Sequence, residues 1–211
     1  MSTTKKQRIG IWVITACMAL GTLGSFGMIV LSTINSQNET ERVNALLVEY
    51  QAAQDAQTAE LSDKYFDTFN SFVSRVGEFD AASVTELQTE DLIVGTGDSI
   101  TSTSSFTAYY IGWMPSGEIF DSSISDDGLS LSDPYSVTAG SVIEGWSTGA
   151  DGMKVGGVRE LTIPSDLAYG EDGSGDIPAD TPLKFIIMII PTPDAVEMPE
   201  ELINYYTTGS L

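Results

Sequence analysis

The spacing of apolar and polar positions divides the chain into three stretches with different periods. Residues 9–31, IGIWVITACMALGTLGSFGMIVL, run for 23 positions without a charge. As a helix this run would be about 35 Å long at 1.5 Å per residue, enough to cross the apolar core of a bilayer with some tilt. From about residue 40 to 79 the period becomes helical. Val43, Leu47, Tyr50, Leu61, Tyr65, Phe69, Phe72, Val76 and Phe79 recur at intervals of three and four, or multiples of them. The stripe weakens around Gln54 and Gln57. One reading is a stalk, with a coiled coil as one form of it; the other is an amphipathic helix folded back on the domain that follows. The aromatic density of residues 65–79 favours docking, because a coiled-coil seam prefers Leu and Ile.

Beyond Leu87 the period shortens to two. FTAYYIGW (106–113), VRELTI (158–163) and LKFIIMII (183–190) are rich in β-branched and aromatic residues and are bounded by turn signals, which predicts strands. One short helix is expected at residues 144–151, ending at Gly152. Antiparallel strands around one short helix make an α+β domain. Residues 122–136, SSISDDGLSLSDPYS, read as a solvated loop. Its aspartates Asp126, Asp127 and Asp133 do not have the spacing of a calcium-binding loop and lack its terminal Glu. The tail from Thr192 contains MPEELINYY, a short helix candidate whose docking or partner-binding role stays open.

Charge adds direction to this plan. Lys5, Lys6 and Arg8 precede the uncharged run, and no acidic residue occurs before Glu39. A basic cluster in front of an apolar span predicts a cytoplasmic N-terminus and an exported remainder. A cleaved signal peptide would start in the same way, but the run is longer than a usual signal core and lacks a clear small-residue cleavage site. An uncleaved signal anchor is therefore the expectation, giving a single-pass membrane protein with an extracytoplasmic domain. After the anchor, six basic residues stand against all 30 acidic ones. Such a surface repels phosphate backbones, which excludes nucleic acid as a partner. There is no histidine, and the one cysteine, Cys17, lies inside the apolar run. His-based catalytic triads, His metal sites, intrachain disulfides and imidazole proton transfer are all excluded. No metal site and no cofactor is expected.

The chemistry-bearing residues lie in YIGWMPSGEIFDSS (110–123) and VIEGWSTGADGMKVGGVRELTIPSDLAYG (142–170). Aromatics set around one carboxylate, with no nucleophile, suit an apolar ligand better than bond breaking. In order, spacing and flanking glycines, these segments resemble the FKBP-type peptidyl-prolyl cis–trans isomerases, from about residue 87 to 190. The entry ELQTEDLIVGTGD and the exit IPADTPLKFIIMII are part of the match. The resemblance implies an FKBP-like antiparallel sheet wrapped around one short helix. It also implies that Trp146 floors a proline pocket walled by Tyr110, Phe120, Tyr135, Val142 and Phe185. The Ile143 N–H and the Tyr169 hydroxyl would donate to substrate carbonyls, Asp121 would accept from Tyr110, and Ile177 would sit on a loop overhanging the slot. If Phe185 faces the pocket, then Lys184, Ile186, Met188 and Ile190 lie on the opposite sheet face with Tyr109 and Ile111. That face is too apolar for water and needs a cover, for which residues 65–79 are the candidate.

Two departures from the family pattern stand out. No Lys or Arg lies between Asp121 and Tyr135, where many members pair a basic residue with that carboxylate, and Asp176 occupies an overhanging-loop position that is usually apolar. Both make the rim more polar and negative.

The division expected is a cytoplasmic N-terminus with signal anchor at 1–32, a helical stalk or docking helix at 33–82, an isomerase domain at 83–191 and a tail at 192–211. The function implied is isomerisation of X–Pro bonds in exported polypeptides, a folding-assistance or chaperone role. The alternative is an FKBP-fold module with weak catalysis that serves as a binding or scaffold part of a membrane or surface assembly.

Overall fold

The computed structural model describes the backbone of residues 5–208 and the side chains of residues 37–208. The chain forms two compact units, Met1–Ala53 with Val196–Leu211, and Gln54–Ala195. Helix α1 (Lys5–Asn70) begins in the first and ends in the second. In the first unit Arg42 of α1 pairs with Glu201 of helix α3 (Glu200–Thr208), and Val43 and Leu202 are buried. Among the described residues no helix is long and apolar enough to cross a membrane. The anchor expected at residues 9–31 lies outside the described side chains.

The second unit is built on an antiparallel sheet. Its strands are β1 (Gln88–Ile93), β2 (Phe106–Trp113), β3 (Ile119–Ser122), β4 (Tyr135–Val137), β5 (Val158–Ile163) and β6 (Leu183–Ile190). They run in the order β1-β5-β6-β2-β3, and β4 pairs with the start of β2. β2, β5 and β6 coincide with the three period-two segments, because β-branched and aromatic side chains pack well on a pleated surface. Register brings Tyr110 opposite Ile187 and Leu161 opposite Phe185.

Alternation along the central strands makes two cores. On one face Ala108, Leu161, Ile163, Leu183, Phe185, Ile187 and Ile189 pack with Trp146 of the short helix α2 (Glu144–Gly149). This helix lies close to β5. A Cβ added at Gly145 would come within 2.3 Å of Ile163, so only glycine permits the approach. On the other face Tyr109, Ile111, Trp113, Val158, Ile186, Met188 and Ile190 meet Tyr65, Phe66, Phe69, Phe72, Val76 and Phe79. The end of α1 and the segment after it therefore cover the apolar outer face of the sheet.

The cover is also tied by polar bonds. The Trp113 indole N–H donates to the Gly77 carbonyl at 3.2 Å, and the Phe79 N–H to the Pro115 carbonyl at 3.1 Å. The Glu160 carboxylate, 6% exposed, accepts from Arg75 Nε at 2.5 Å and from Lys184 Nζ at 2.9 Å. A buried carboxylate needs such partners, since leaving it unpaired would cost several kcal/mol.

Three sequence expectations change. α1 ends at Asn70 rather than running on toward Phe79, and residues 73–75 form a single 3₁₀ turn. The chain turns there so that Phe72, Val76 and Phe79 all reach the same sheet face. α2 stops at Gly149, two residues short of the expected end. The Ser/Asp-rich loop is not wholly solvated. Leu131 is 2% exposed within the outer core, and its N–H donates to Ser62 Oγ of α1 at 2.8 Å.

Candidate active site

The cavity on the α2 side of the sheet has a volume of about 390 Å³ and draws its lining from seven places in the chain. β2 supplies Tyr110, β3 supplies Phe120 and Asp121, and β4 supplies Tyr135. The turn before α2 supplies Gly140, Ser141, Val142 and Ile143, and α2 itself Trp146. Tyr169 follows a 3₁₀ turn after β5, and Phe185 comes from β6. Nine of the ten residues expected at the site lie here together.

Trp146 is the hub. Its ring stands edge-on to Tyr110 at 5.3 Å, to Phe185 at 5.4 Å and to Tyr135 at 6.5 Å. Phe120 and Phe185 meet edge to face at 5.5 Å. Such tilted contacts match the positive edge of one ring to the negative face of another. Gly112 makes room for them, since a Cβ there would lie 2.6 Å from both phenyl rings. Trp146 and Phe185 are buried, at 3% and 4% exposure, whereas Tyr135 and Tyr169 are 40% and 37% exposed and stand at the mouth.

Asp121 lies opposite Gly112 in the β2–β3 pairing, two positions along β2 from Tyr110 and so on the same face of the sheet. The Ser123 N–H donates to the Tyr110 carbonyl at 2.8 Å, and the Tyr110 N–H donates to Ser123 Oγ at 3.0 Å. This double link holds the strands so that the Tyr110 hydroxyl donates to Asp121 Oδ2 at 2.5 Å. Burial, then that hydrogen bond, pushes the Tyr110 phenol well above its usual pKa. Burial and the charge of Asp121 raise Tyr169 as well. Both phenols therefore stay protonated and able to donate across the physiological range. Among the described residues no group accepts the Ile143 N–H, which caps α2 in extended backbone.

Ile177 is not part of the lining. It is 6% exposed and packs in the core beneath, because paired bonds between Ser174 and Ile177 at 3.0 and 2.9 Å fold the loop and turn this side chain inward. The sequence reading missed Gly140 and Ser141, whose turn is closed by the Ser141 N–H and hydroxyl on the Thr138 carbonyl. Their position just before Val142 was the available signal. Among the described residues no three Cys, Asp or Glu side chains converge to hold a metal ion.

Residues 97–190 match the family model for FKBP-type peptidyl-prolyl cis–trans isomerase. The chain is 42% identical over 90 residues to an FK506-binding protein of Neisseria meningitidis serogroup B, covering 42% of this chain and 78% of that protein. It belongs to the FKBP-type isomerase family. It is also 43% identical over 107 residues to FK506-binding protein 4 of Dictyostelium discoideum, covering 49% of this chain but only 28% of that relative's length. Among solved structures it is similar to a peptidyl-prolyl cis–trans isomerase of Pseudomonas syringae pv. tomato. That likeness has a TM-score of 0.44 and 28% identity, and it covers 63% of this chain and 96% of the other. The aromatic cavity lies within the family-matched residues 97–190, and the covering residues 65–79 lie before them.

Proposed function

We propose that the chain isomerises X–Pro peptide bonds, and that the cavity around Trp146 is where it does so. One observation carries this reading: an aromatic slot of about 390 Å³ whose single carboxylate is engaged by the Tyr110 hydroxyl, with its one serine hydroxyl, that of Ser141, donating to the Thr138 carbonyl and no thiol, amine or imidazole among its lining residues. The reaction needs none. Rotation about an X–Pro bond faces a barrier of roughly 18–20 kcal/mol because amide resonance must be broken. The twisted amide is less polar than the planar one, so a dry aromatic wall disfavours it less than water does. A millionfold gain requires about 8 kcal/mol, so oriented hydrogen bonds must add to desolvation.

In this reading Trp146 lies under the proline ring, with Tyr110, Phe120, Tyr135, Val142 and Phe185 around it. The Ile143 N–H and the Tyr169 hydroxyl donate to substrate carbonyls. Asp121 is a positioning residue that fixes the Tyr110 hydroxyl. We further propose that residues 9–31 anchor the chain and that the domain acts on polypeptides on the outer side of the membrane. The basic cluster at residues 5–8 and the uncharged run behind it support that placement.

The test is cis–trans exchange of an X–Pro peptide measured by NMR with the parent and with Asp121→Ala. Turnover by the parent, reduced about tenfold in the variant without loss of fold, is the expected result. A parent that binds such peptides but does not speed exchange would favour a scaffold role. External protease acting on intact cells tests the placement, which requires that the domain be removed.

A further inference from the structure

Tyr135 is carried by the shortest strand of the sheet. β4 has three residues and pairs with β2, and it leaves this ring at the mouth of the slot, edge-on to Tyr110 and to Trp146. The loop that delivers it, residues 123–134, leaves the strand of Asp121 and passes by the outer core before it returns. On the way back it is bonded twice to α1. The N–H of the buried Leu131 donates to Oγ of the buried Ser62 at 2.8 Å, and the Asp133 carboxylate accepts from the Thr58 hydroxyl. Thr58 and Ser62 are four residues apart and so share one face of the helix. The same arm is tied to the sheet as well. The Ser132 N–H and hydroxyl donate to the Ser123 carbonyl at 2.9 and 3.1 Å, and Ser123 is the residue bonded twice to Tyr110. Apolar cover accounts for the Leu131 side chain, but it does not call for two α1 hydroxyls on the loop.

We propose that Ser62 and Thr58 of α1 are positioning residues of the slot: they hold the loop that places Tyr135, so the covering helix sets how tightly an X–Pro segment is bound. This role rests on the isomerase reading given above. Pro134 makes the coupling stiff. Its ring fixes its own φ and narrows the backbone of Asp133, so a shift at Asp133 is passed on to Tyr135. Without the Ser62 hydroxyl the buried Leu131 N–H has lost its acceptor, and the loop must open toward water to satisfy it. That opening draws Tyr135 away from Tyr110 and Trp146 and widens the mouth. The loss falls on substrate binding, because the Tyr110–Asp121 bond and the Trp146 floor stand on other elements.

The experiment uses the full chain in a non-ionic detergent and the capped peptide Ala-Ala-Pro-Phe. Exchange rates read by NMR at rising peptide concentration give kcat and KM separately. Ser62→Ala should raise KM about threefold and change kcat by less than about twofold, while Ser62→Thr, which keeps the hydroxyl, should stay near the parent. Thr58→Val, which keeps the side-chain shape at a half-buried position, should raise KM about twofold. Phe69→Ala, which removes a larger buried group but no bond to the loop, should leave both constants unchanged. In a Tyr135→Ala background, Ser62→Ala should change KM by less than about 1.5-fold, because a residue acting through Tyr135 has nothing left to position. An unchanged KM in both Ser62→Ala and Thr58→Val overturns the proposal and leaves the isomerase reading standing. A KM rise of the same size in Phe69→Ala, or one undiminished in the Tyr135→Ala background, reduces Ser62 to a structural role and overturns it too. Absence of turnover by the parent overturns both readings.

Discussion

Neighbouring tyrosines on β2 show how differently the two faces of this sheet are used. Tyr110 points to the α2 side, where its hydroxyl donates to Asp121 at 2.5 Å beside an open cavity. Tyr109 points to the other side, 0% exposed among Tyr65, Phe69 and Trp113, and among the described residues its hydroxyl has no partner. Both faces are rich in aromatic rings. Among the described residues, strand residues line a large slot on the α2 face alone. The cause lies in what covers them. α2 is six residues long and closes part of its face, leaving Tyr110, Tyr135 and Trp146 around a gap. The last turns of α1 and residues 71–79 fill the opposite face until Phe69 and Trp113 are at most 1% exposed. An aromatic cluster thus becomes a ligand site or a structural core according to the completeness of its cover.

Substitutions on the two faces should separate these roles, and the largest stability loss is expected on the covered side. Phe69→Ala removes a fully buried ring and should cost about 4–5 kcal/mol in urea unfolding. At temperatures where the variant is folded, kcat/KM on an X–Pro peptide should match the parent. A loss of activity without a loss of stability would break the contrast between the faces. Trp146→Ala should do the reverse, lowering kcat/KM by at least about tenfold while costing about 3 kcal/mol, the lower end for a large ring, because the ring borders open space.

A smaller effect tests the polar fastening of the cover. Arg75→Ala leaves the buried Glu160 with Lys184 alone and should cost about 1–3 kcal/mol, read by thermal unfolding. No change would mean that apolar contact alone holds residues 71–79 in place. The smallest effect concerns Tyr109, whose phenol burial pushes up to about 12. Its protonated form favours the fold fully below pH ~10, and that contribution is lost as pH rises through the folded value. Tyr109→Phe removes an unpartnered buried hydroxyl. It should be neutral or stabilising by about 1 kcal/mol, roughly 2–4 °C in Tm, and should flatten the decline in stability above pH ~10.

The segments read from alternation alone, residues 106–113, 158–163 and 183–190, are the strands β2, β5 and β6 with the same ends. Side-chain alternation is a local property, written into the order of residues and needing no partner to be read. The same logic marked the outer face of β6 as too apolar for water. The aromatic positions of the site were legible because their order and glycine spacing match a family, and register then brings them to one cavity.

Other features belong to no single segment. The end of α1 at Asn70, the burial of Leu131 against α1, and the hold of Arg75 and Lys184 on Glu160 join residues 24 to 85 positions apart, or depend on such joins. The inward turn of Ile177 arose in a loop whose composition reads as solvated rim. Periodicity states that an apolar face must be buried. Which surface buries it, and whether a gap remains, follows from the shapes that meet in three dimensions, and those are fixed only when the chain has packed.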